Sequence, residues 1–111
     1  MLIEATPRDL QSRIALLPGG EYAAGQTVPG PEGATVTYGG TMEYRSVDVA
    51  PVMEFVMLAG STAVGSVIAA WIIDKFRGRT TKISINRREV NLDDAGQVRQ
   101  IVEEEIRIKR T

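Results

Sequence analysis

The residue types that most often perform chemistry are sparse in this chain. Its 111 residues include no cysteine and no histidine, so thiol nucleophiles, imidazole bases and the usual zinc ligands are absent. Catalytic groupings that pair a nucleophile with a histidine are excluded for the same reason. A reaction would have to rely on carboxylates, lysines or hydroxyl groups alone. We therefore expect a protein that is not an enzyme, with no catalytic residue, no metal site and no cofactor.

The charged residues are divided unevenly along the chain, although the net charge is only −1. Residues 1–74 hold three basic and eight acidic side chains, whereas residues 75–111 hold ten basic and six acidic ones. The run "KFRGRTTKISINRR" contains no acid. The candidate basic patch consists of Lys75, Arg77, Arg79, Lys82, Arg87 and Arg88.

Two interpretations of this basic run are open. It could face phosphate groups of nucleic acid or of anionic lipid. It could instead be a solvated strand edge and hairpin tip that discourages pairing between sheets. The second interpretation is favoured, because the cations lack the series of interleaved aromatic residues on which single-stranded nucleic acid stacks. We do not expect a nucleic acid partner.

The first 41 residues predict little regular structure. "LIEA" is typical of a short strand, "TPRDLQSRI" of a brief helix with Thr6 as N-cap and Pro7 in the first turn, and "RIALL" of another short strand. Residues 18–41 are rich in glycine and proline and predict a loop, with a short strand at "ATVTY". The loop lacks the glycine spacing of a phosphate-binding loop, so a mobile or partner-binding segment is the expectation.

The second half predicts a small α+β domain. "TMEYRSVDVA" alternates like a strand, and an apolar helix is predicted over residues 52–76, with Pro51 before it and Gly78 after it. Residues 81–108 predict a hairpin and a closing helix. With Arg87 and Arg88 as the turn, Ile85 would face Val90, although the register could shift by one.

The closing helix is predicted from its cap and its apolar spacing. Asp93 or Asp94 would cap it, with Gln97 in the third helical position. "EEE" at residues 103–105 lies mostly opposite the apolar side and is interpreted as a solvated face. The apolar residues at helical spacing are Val98, Ile101, Val102 and Ile106, with Ile108 beside them. The predicted fold is a single domain over residues 1–111, a small two-layer sandwich of a hairpin-containing sheet with a long apolar helix and a C-terminal amphipathic helix.

The predicted helix raises the question of a membrane span. Residues 55–73 carry no charge, and cations follow at once, so a spanning helix would place its C-terminal side in the cytoplasm. Nine of these 19 residues are Ala, Gly, Ser or Thr, which weakens the drive for insertion. A buried or partner-covered helix is therefore favoured, with a cytoplasmic protein expected and an inner-membrane protein as the alternative. The candidate helix-packing residues are Ala59, Ala63, Ser66, Ala70, Trp71 and Phe76.

A family resemblance rests on "AAWIIDKFRGRTTKISINRREVNLDDAGQVRQIVEEEI". Over roughly residues 50–106 the chain resembles the effector-associated constant component family of bacteria, found largely in actinobacteria. Its members show a small-residue apolar helix that ends in Trp and Arg, as at Trp71 and Arg77, then a hairpin and an amphipathic helix. The resemblance implies a non-enzymatic adaptor of bacterial conflict systems against phage, one that accompanies effectors such as trypsin-like or caspase-like proteases.

Three hypotheses follow. The first is an adaptor that binds an effector protein through its apolar helix. The second is a single-span membrane protein that oligomerises and disrupts the membrane. The third is a structural subunit whose copies assemble through the same helix. Partners under these hypotheses are an effector protein, the membrane or further copies of the chain.

Overall fold

The computed structural model describes residues 1–17, 25–42, 51–60 and 63–110, without the side chains of residues 42 and 108–110. Within these ranges the chain forms an α+β fold of six strands, three α-helices and one short 3-10 turn at Pro31–Gly33. The strands are β1 (Leu2–Pro7), β2 (Thr27–Pro29), β3 (Thr35–Met42), β4 (Val52–Leu58), β5 (Thr80–Ile85) and β6 (Arg88–Glu89). The helices are α1 (Leu10–Leu16), α2 (Gly65–Phe76) and α3 (Ala95–Arg110).

All six strands belong to one antiparallel sheet with the order β2-β3-β4-β1-β5-β6. β1 lies between β4 and β5, so the first residues of the chain occupy the middle of the sheet. The edge strands are the shortest, with three residues in β2 and two in β6. Short edges offer little template for pairing with another sheet.

The core lies on one face of the sheet. Successive strand side chains point to opposite faces, and the inward set includes Ile3, Tyr38, Phe55 and Ile85, all at most 2% exposed. Buried residues of α2 and α3 belong to the same apolar cluster as these strand residues. Burying a side chain the size of Phe55 contributes about 1.5–3 kcal/mol.

The predicted helix over residues 52–76 is wrong in its first half. Residues 52–58 form β4, which pairs with both β1 and β3. Met53, Phe55 and Met57 point into the core, while Val56 and Leu58 on the other face are 39% and 55% exposed. Because both faces carry apolar residues after Glu54, residues 55–58 show no alternation of apolar and polar positions, and such an apolar run fits a buried helix equally well. The helix that follows, α2, has only 12 residues.

This division bears on the predicted span over residues 55–73. The segment is shared between β4 and α2, and in the described ranges no helix has the length and apolar character that crossing a bilayer requires.

Residues 1–17 and 25–41 form more regular structure than expected. The strand at "LIEA" is confirmed as part of β1, but Pro7 lies in that strand and the helix begins at Leu10. Asp9 caps α1 by accepting a hydrogen bond from the backbone of Ser12 at 2.7 Å, so Thr6 is not the cap. "RIALL" is mostly helical, not a strand. The short strand predicted at "ATVTY" is confirmed as part of β3, which continues to Met42. The rest of the predicted loop is wrong from Thr27 to Gly33, where β2 and the 3-10 turn lie; residues 18–24 are outside the described ranges.

The hairpin and the closing helix are largely confirmed. The hairpin turn is at Asn86 and Arg87, one residue earlier than a turn at Arg87 and Arg88. Ile85 therefore pairs with Arg88 and not with Val90, whose backbone N–H instead donates to the carbonyl oxygen of Ile83 at 3.0 Å. Asp94 caps α3 by accepting from the backbone N–H of Gln97 at 3.1 Å. The predicted apolar residues Val98, Ile101, Val102 and Ile106 are all buried. The strand predicted at "TMEYRSVDVA" begins as the end of β3, and its residues 43–50 are outside the described ranges.

Candidate interaction surface on helix α2

Helix α2 has a buried side and an exposed apolar side. Its fully or nearly fully buried residues are Ile68, Ala69, Ile72 and Phe76. On the other side, Val64 at the N-cap is 49% exposed and Val67 is 40% exposed. Residues three, four or seven positions apart share one side of a helix, so Val64, Val67, Trp71 and Lys75 form a line that we call the outer stripe.

The aromatic residues anchor α2 to the sheet. Phe76 is fully buried and its ring lies 5.4 Å from that of Phe55 in an edge-on arrangement. The ring of Trp71 lies 6.4 Å from that of Phe76, also edge-on, and Trp71 is half-buried. Of these two candidate contact residues, Phe76 belongs to the core, whereas Trp71 joins the core to the outer stripe.

The predicted stripe of small residues is not continuous. Ala59 lies after the end of β4 and is exposed, and Ala63 is buried before α2 begins. Only Ser66 and Ala70 lie on α2, and both are exposed. They border a shallow groove between α2 and α3, lined by Ser66, Ala69, Ala70, Ile73, Ala95, Gly96 and Arg99.

The N-terminal end of α2 is stabilised by a residue distant in sequence. The N-cap residue Val64 has no side chain that could accept a hydrogen bond, but its backbone N–H donates to Glu32 Oε2 at 2.8 Å. A carboxylate in this position also interacts favourably with the helix dipole. α3 crosses close by, since a Cβ atom added to Gly65 would lie 2.4 Å from Cγ of Glu103. Glycine at this position permits the close approach of the two helices.

Basic residues occupy the C-terminal end of α2. Arg79 Nη1 donates to the carbonyl oxygens of Asp74 at 3.2 Å and Lys75 at 2.7 Å. Thr80 Oγ1 donates to the carbonyl oxygen of Phe76 at 3.2 Å. These bonds satisfy carbonyl groups that have no partner within the helix.

Lys75 lies against an aromatic ring. Its Nζ is 5.6 Å from the centroid of the Trp71 ring, a cation–π distance. Burial of the half-buried side chain, and then the nearby charge of Arg79, lower the pKa of Lys75 from its usual 10.5.

The six residues of the predicted basic patch are not gathered in one site. Arg77 pairs with Asp93 at 3.1 Å, and Arg88 bridges Glu104 at 2.7 Å and Glu105 at 3.0 Å. Lys82 is exposed on β5, on the side opposite the buried Ile83. Arg87 is exposed in the hairpin turn. Of the six, only Lys75 and Arg79 are brought together: Arg79 lies just beyond the end of α2 and donates to the carbonyl oxygen of Lys75 at 2.7 Å.

The acidic run at residues 103–105 takes part in a surface network. The bond from Arg88 lowers the pKa of the Glu104 carboxyl and raises the pKa of the Arg88 guanidinium. Asn86 donates to Glu105, and its side-chain oxygen accepts from the backbone of Leu2 at 2.7 Å. The network links the hairpin, β1 and α3. Across the described ranges, no group of three or more Asp or Glu residues is placed to hold a metal ion.

Comparison with known proteins gives no relative. The chain matches no protein-family model, no curated protein and no solved structure.

Proposed function

We propose that this chain is a non-enzymatic interaction module that binds a protein partner through the outer stripe of α2. The observation that carries the proposal is the exposure of Val64 and Val67, at 49% and 40%, in line with the half-buried Trp71. Exposed apolar side chains next to a tryptophan are typical of protein contact surfaces, where a few such residues supply most of the binding energy.

The partner class comes from the resemblance of residues 50–106 to the effector-associated constant component family. On that basis the chain is an adaptor in a bacterial anti-phage conflict system, and its partner is an effector such as a trypsin-like or caspase-like protease. The proposal includes a cytoplasmic location and a two-layer arrangement of sheet and helices. The partner contacts α2, which is shorter than the helix expected from the sequence.

A matched pair of substitutions tests the proposal. Val67→Arg places a charge in the outer stripe, whereas Ile14→Arg places one at a similarly exposed position on α1, where Ile14 is 47% exposed. Arginine is at least as good a helix former as valine or isoleucine, so both variants should fold. We expect Val67→Arg to weaken binding of the purified effector at least about tenfold, or about 1.4 kcal/mol, in isothermal titration calorimetry.

The control defines the outcome. Ile14→Arg should bind the effector like the unmodified chain. Equal affinities for all three proteins would show that the effector contacts another surface, and an effector that binds none of them would remove the proposed partner class.

A further inference from the structure

Three cations lie near the C-terminal end of α2, and none of them forms an ion pair with a described residue. Arg79 Nη1 donates to the carbonyl oxygen of Lys75 at 2.7 Å, and the backbone N–H of Arg8 donates to the carbonyl oxygen of Arg79 at 2.9 Å. Arg8 Nη1 also donates to the carbonyl oxygen of Gly78 at 3.2 Å. We call Arg8, Lys75 and Arg79 the cation cluster.

The acids of the described ranges are engaged elsewhere or do not reach this cluster. The ion pairs there use Arg77, Arg88 and Arg99, and none of the three clustered cations takes part in one. Asp9, the neighbour of Arg8, accepts a hydrogen bond from the backbone of Ser12. Arg79 and Arg8 each use one nitrogen on backbone carbonyl oxygens, which leaves their remaining guanidinium donors available.

The surroundings of Lys75 show that positive charge is unbalanced here. Burial and Arg79 both lower the pKa of the ammonium group, and no acid offsets them. The ammonium group makes no hydrogen bond within the described residues and instead faces the Trp71 ring. An anion beside Lys75 and Arg79 would supply the missing opposite charge.

The apolar residues beside the cation cluster indicate which class of ligand bears the negative group. Trp71 lies beside Lys75, and the exposed Val67 and Val64 follow along the outer stripe. A ligand that reached Lys75 would therefore also cover the apolar surface of these residues. A free phosphate would leave this surface uncovered. A protein segment with an acidic side chain next to an apolar one would satisfy both parts.

We propose that the cation cluster and Trp71 bind an acidic segment of the protein partner. One carboxylate lies between Lys75 and Arg79, and a neighbouring apolar side chain packs on Trp71 and Val67. This inference rests on the proposed function and names the chemistry of the partner that the outer stripe selects.

Trp71 provides the readout, because it is the only tryptophan in the chain. The probes are a short synthetic peptide of glutamate and leucine, the matched peptide with glutamine in place of glutamate, and inorganic phosphate. We expect the glutamate peptide to change Trp71 fluorescence saturably at low salt. The affinity of the peptide should fall as salt is raised, since exposed charges are screened. The glutamine peptide and phosphate should give no saturable change in the same range.

Two lysine variants complete the test. Lys75→Gln should lower the affinity for the glutamate peptide about fivefold, which corresponds to roughly 1 kcal/mol. Lys82→Gln is the control, because Lys82 is an exposed cation on β5 without an ion pair in the described residues, and it should bind like the unmodified chain.

The inference is overturned by equal binding of both peptides, by phosphate that binds as well as the glutamate peptide, or by unchanged affinity of Lys75→Gln. These results differ from a failure of the proposed function. If Val67→Arg weakens binding of the effector while Lys75→Gln does not, the contact surface stands and only the acidic segment is wrong. If neither substitution affects the effector, the proposed function itself fails.

Discussion

At the scale of single residues, Arg87 adopts a backbone conformation that favours glycine. Its φ is 66°, and that of Asn86 is 48°, so both central residues of this two-residue hairpin turn have the positive φ of a type I′ turn. Asparagine tolerates this conformation, but a residue with a long side chain such as arginine is disfavoured there by about 1–2 kcal/mol.

Replacing Arg87 by glycine should therefore stabilise the protein. Glycine also loses more backbone freedom on folding, and this loss cancels about 0.4–1 kcal/mol of the gain from relieving the disfavoured conformation. The net increase in the free energy of unfolding of Arg87→Gly should be about 0.5–1 kcal/mol, measured by urea denaturation. Arg87→Ala removes the same charge but keeps the disfavoured conformation, and it should change stability little. An equal gain in both variants would attribute the effect to charge instead of backbone.

The Arg88–Glu104 pair makes stability depend on pH. Because the hydrogen bond from Arg88 lowers the pKa of Glu104 below its usual 4.5, the pair stabilises the folded state above pH 4.5. That contribution is lost as the pH falls through the lowered pKa. The difference in unfolding free energy between the unmodified chain and Arg88→Gln should therefore shrink as the pH falls from neutral into this acidic range.

Arg87→Gln serves as the control for this pH dependence. Arg87 is exposed, adjacent in sequence and without an ion pair in the described part of the chain. Its difference from the unmodified chain should stay constant across the same range. A difference for Arg88→Gln that is also constant would contradict the assignment of the pair.

At the scale of elements, the position of β4 decides how the middle of the chain is organised. Met1 and Met57 exchange two hydrogen bonds, of 2.9 Å from Met1 and 2.8 Å from Met57. The next pair, Leu2 and Val56, is therefore a non-hydrogen-bonded pair, with Cα atoms about 4.5 Å apart. That separation lies within the range of about 4.4–6.8 Å that a disulfide bridges.

A disulfide can test this register directly, because the chain has no cysteine. The double variant Leu2→Cys with Val56→Cys should form an intramolecular disulfide on mild oxidation, seen as the loss of free thiols in a monomer. Leu2→Cys with Leu58→Cys, on the same face but two residues out of register, should form it much less readily. Comparable cross-linking in both variants, or in neither, would contradict β4 as described.

The elements that the sequence predicts well are those stabilised locally. The closing helix follows from its cap at Asp94 and the spacing of Val98, Ile101 and Val102, all of which lie within a few turns of one another. The hairpin follows from alternation alone, but its turn lies one residue earlier and Ile83, not Ile85, lies opposite Val90. β4 was missed because its partners, β1 and β3, lie elsewhere in the sequence, and an apolar run does not reveal whether such partners exist.

The candidate interaction surface is also predictable only where it depends on local sequence. Trp71, Ser66 and Ala70 lie on α2 as expected, but Ala59 and Ala63 do not, because the predicted helix began too early. The burial of Phe76 depends on Phe55 across the core. The cap of α2 by Glu32 joins residues 32 positions apart, and no local pattern indicates it.

At the scale of the whole molecule, several exposed apolar surfaces could receive a partner. α1 exposes Leu10 and Ile14, β4 exposes Leu58, and α2 exposes Val64 and Val67. We place the proposed effector contact on α2 because its exposed apolar residues adjoin Trp71 and Lys75, and Lys75 forms no ion pair with the described residues.

Site-specific photo-cross-linking separates these surfaces in one measurement. A photoreactive phenylalanine derivative is placed in turn at residues 14, 58 and 67, and each protein is irradiated with the purified effector. We expect a cross-linked product from position 67 and little from positions 14 and 58. A complex that forms in solution but cross-links from position 14 or 58, and not from 67, would contradict the proposed contact on α2.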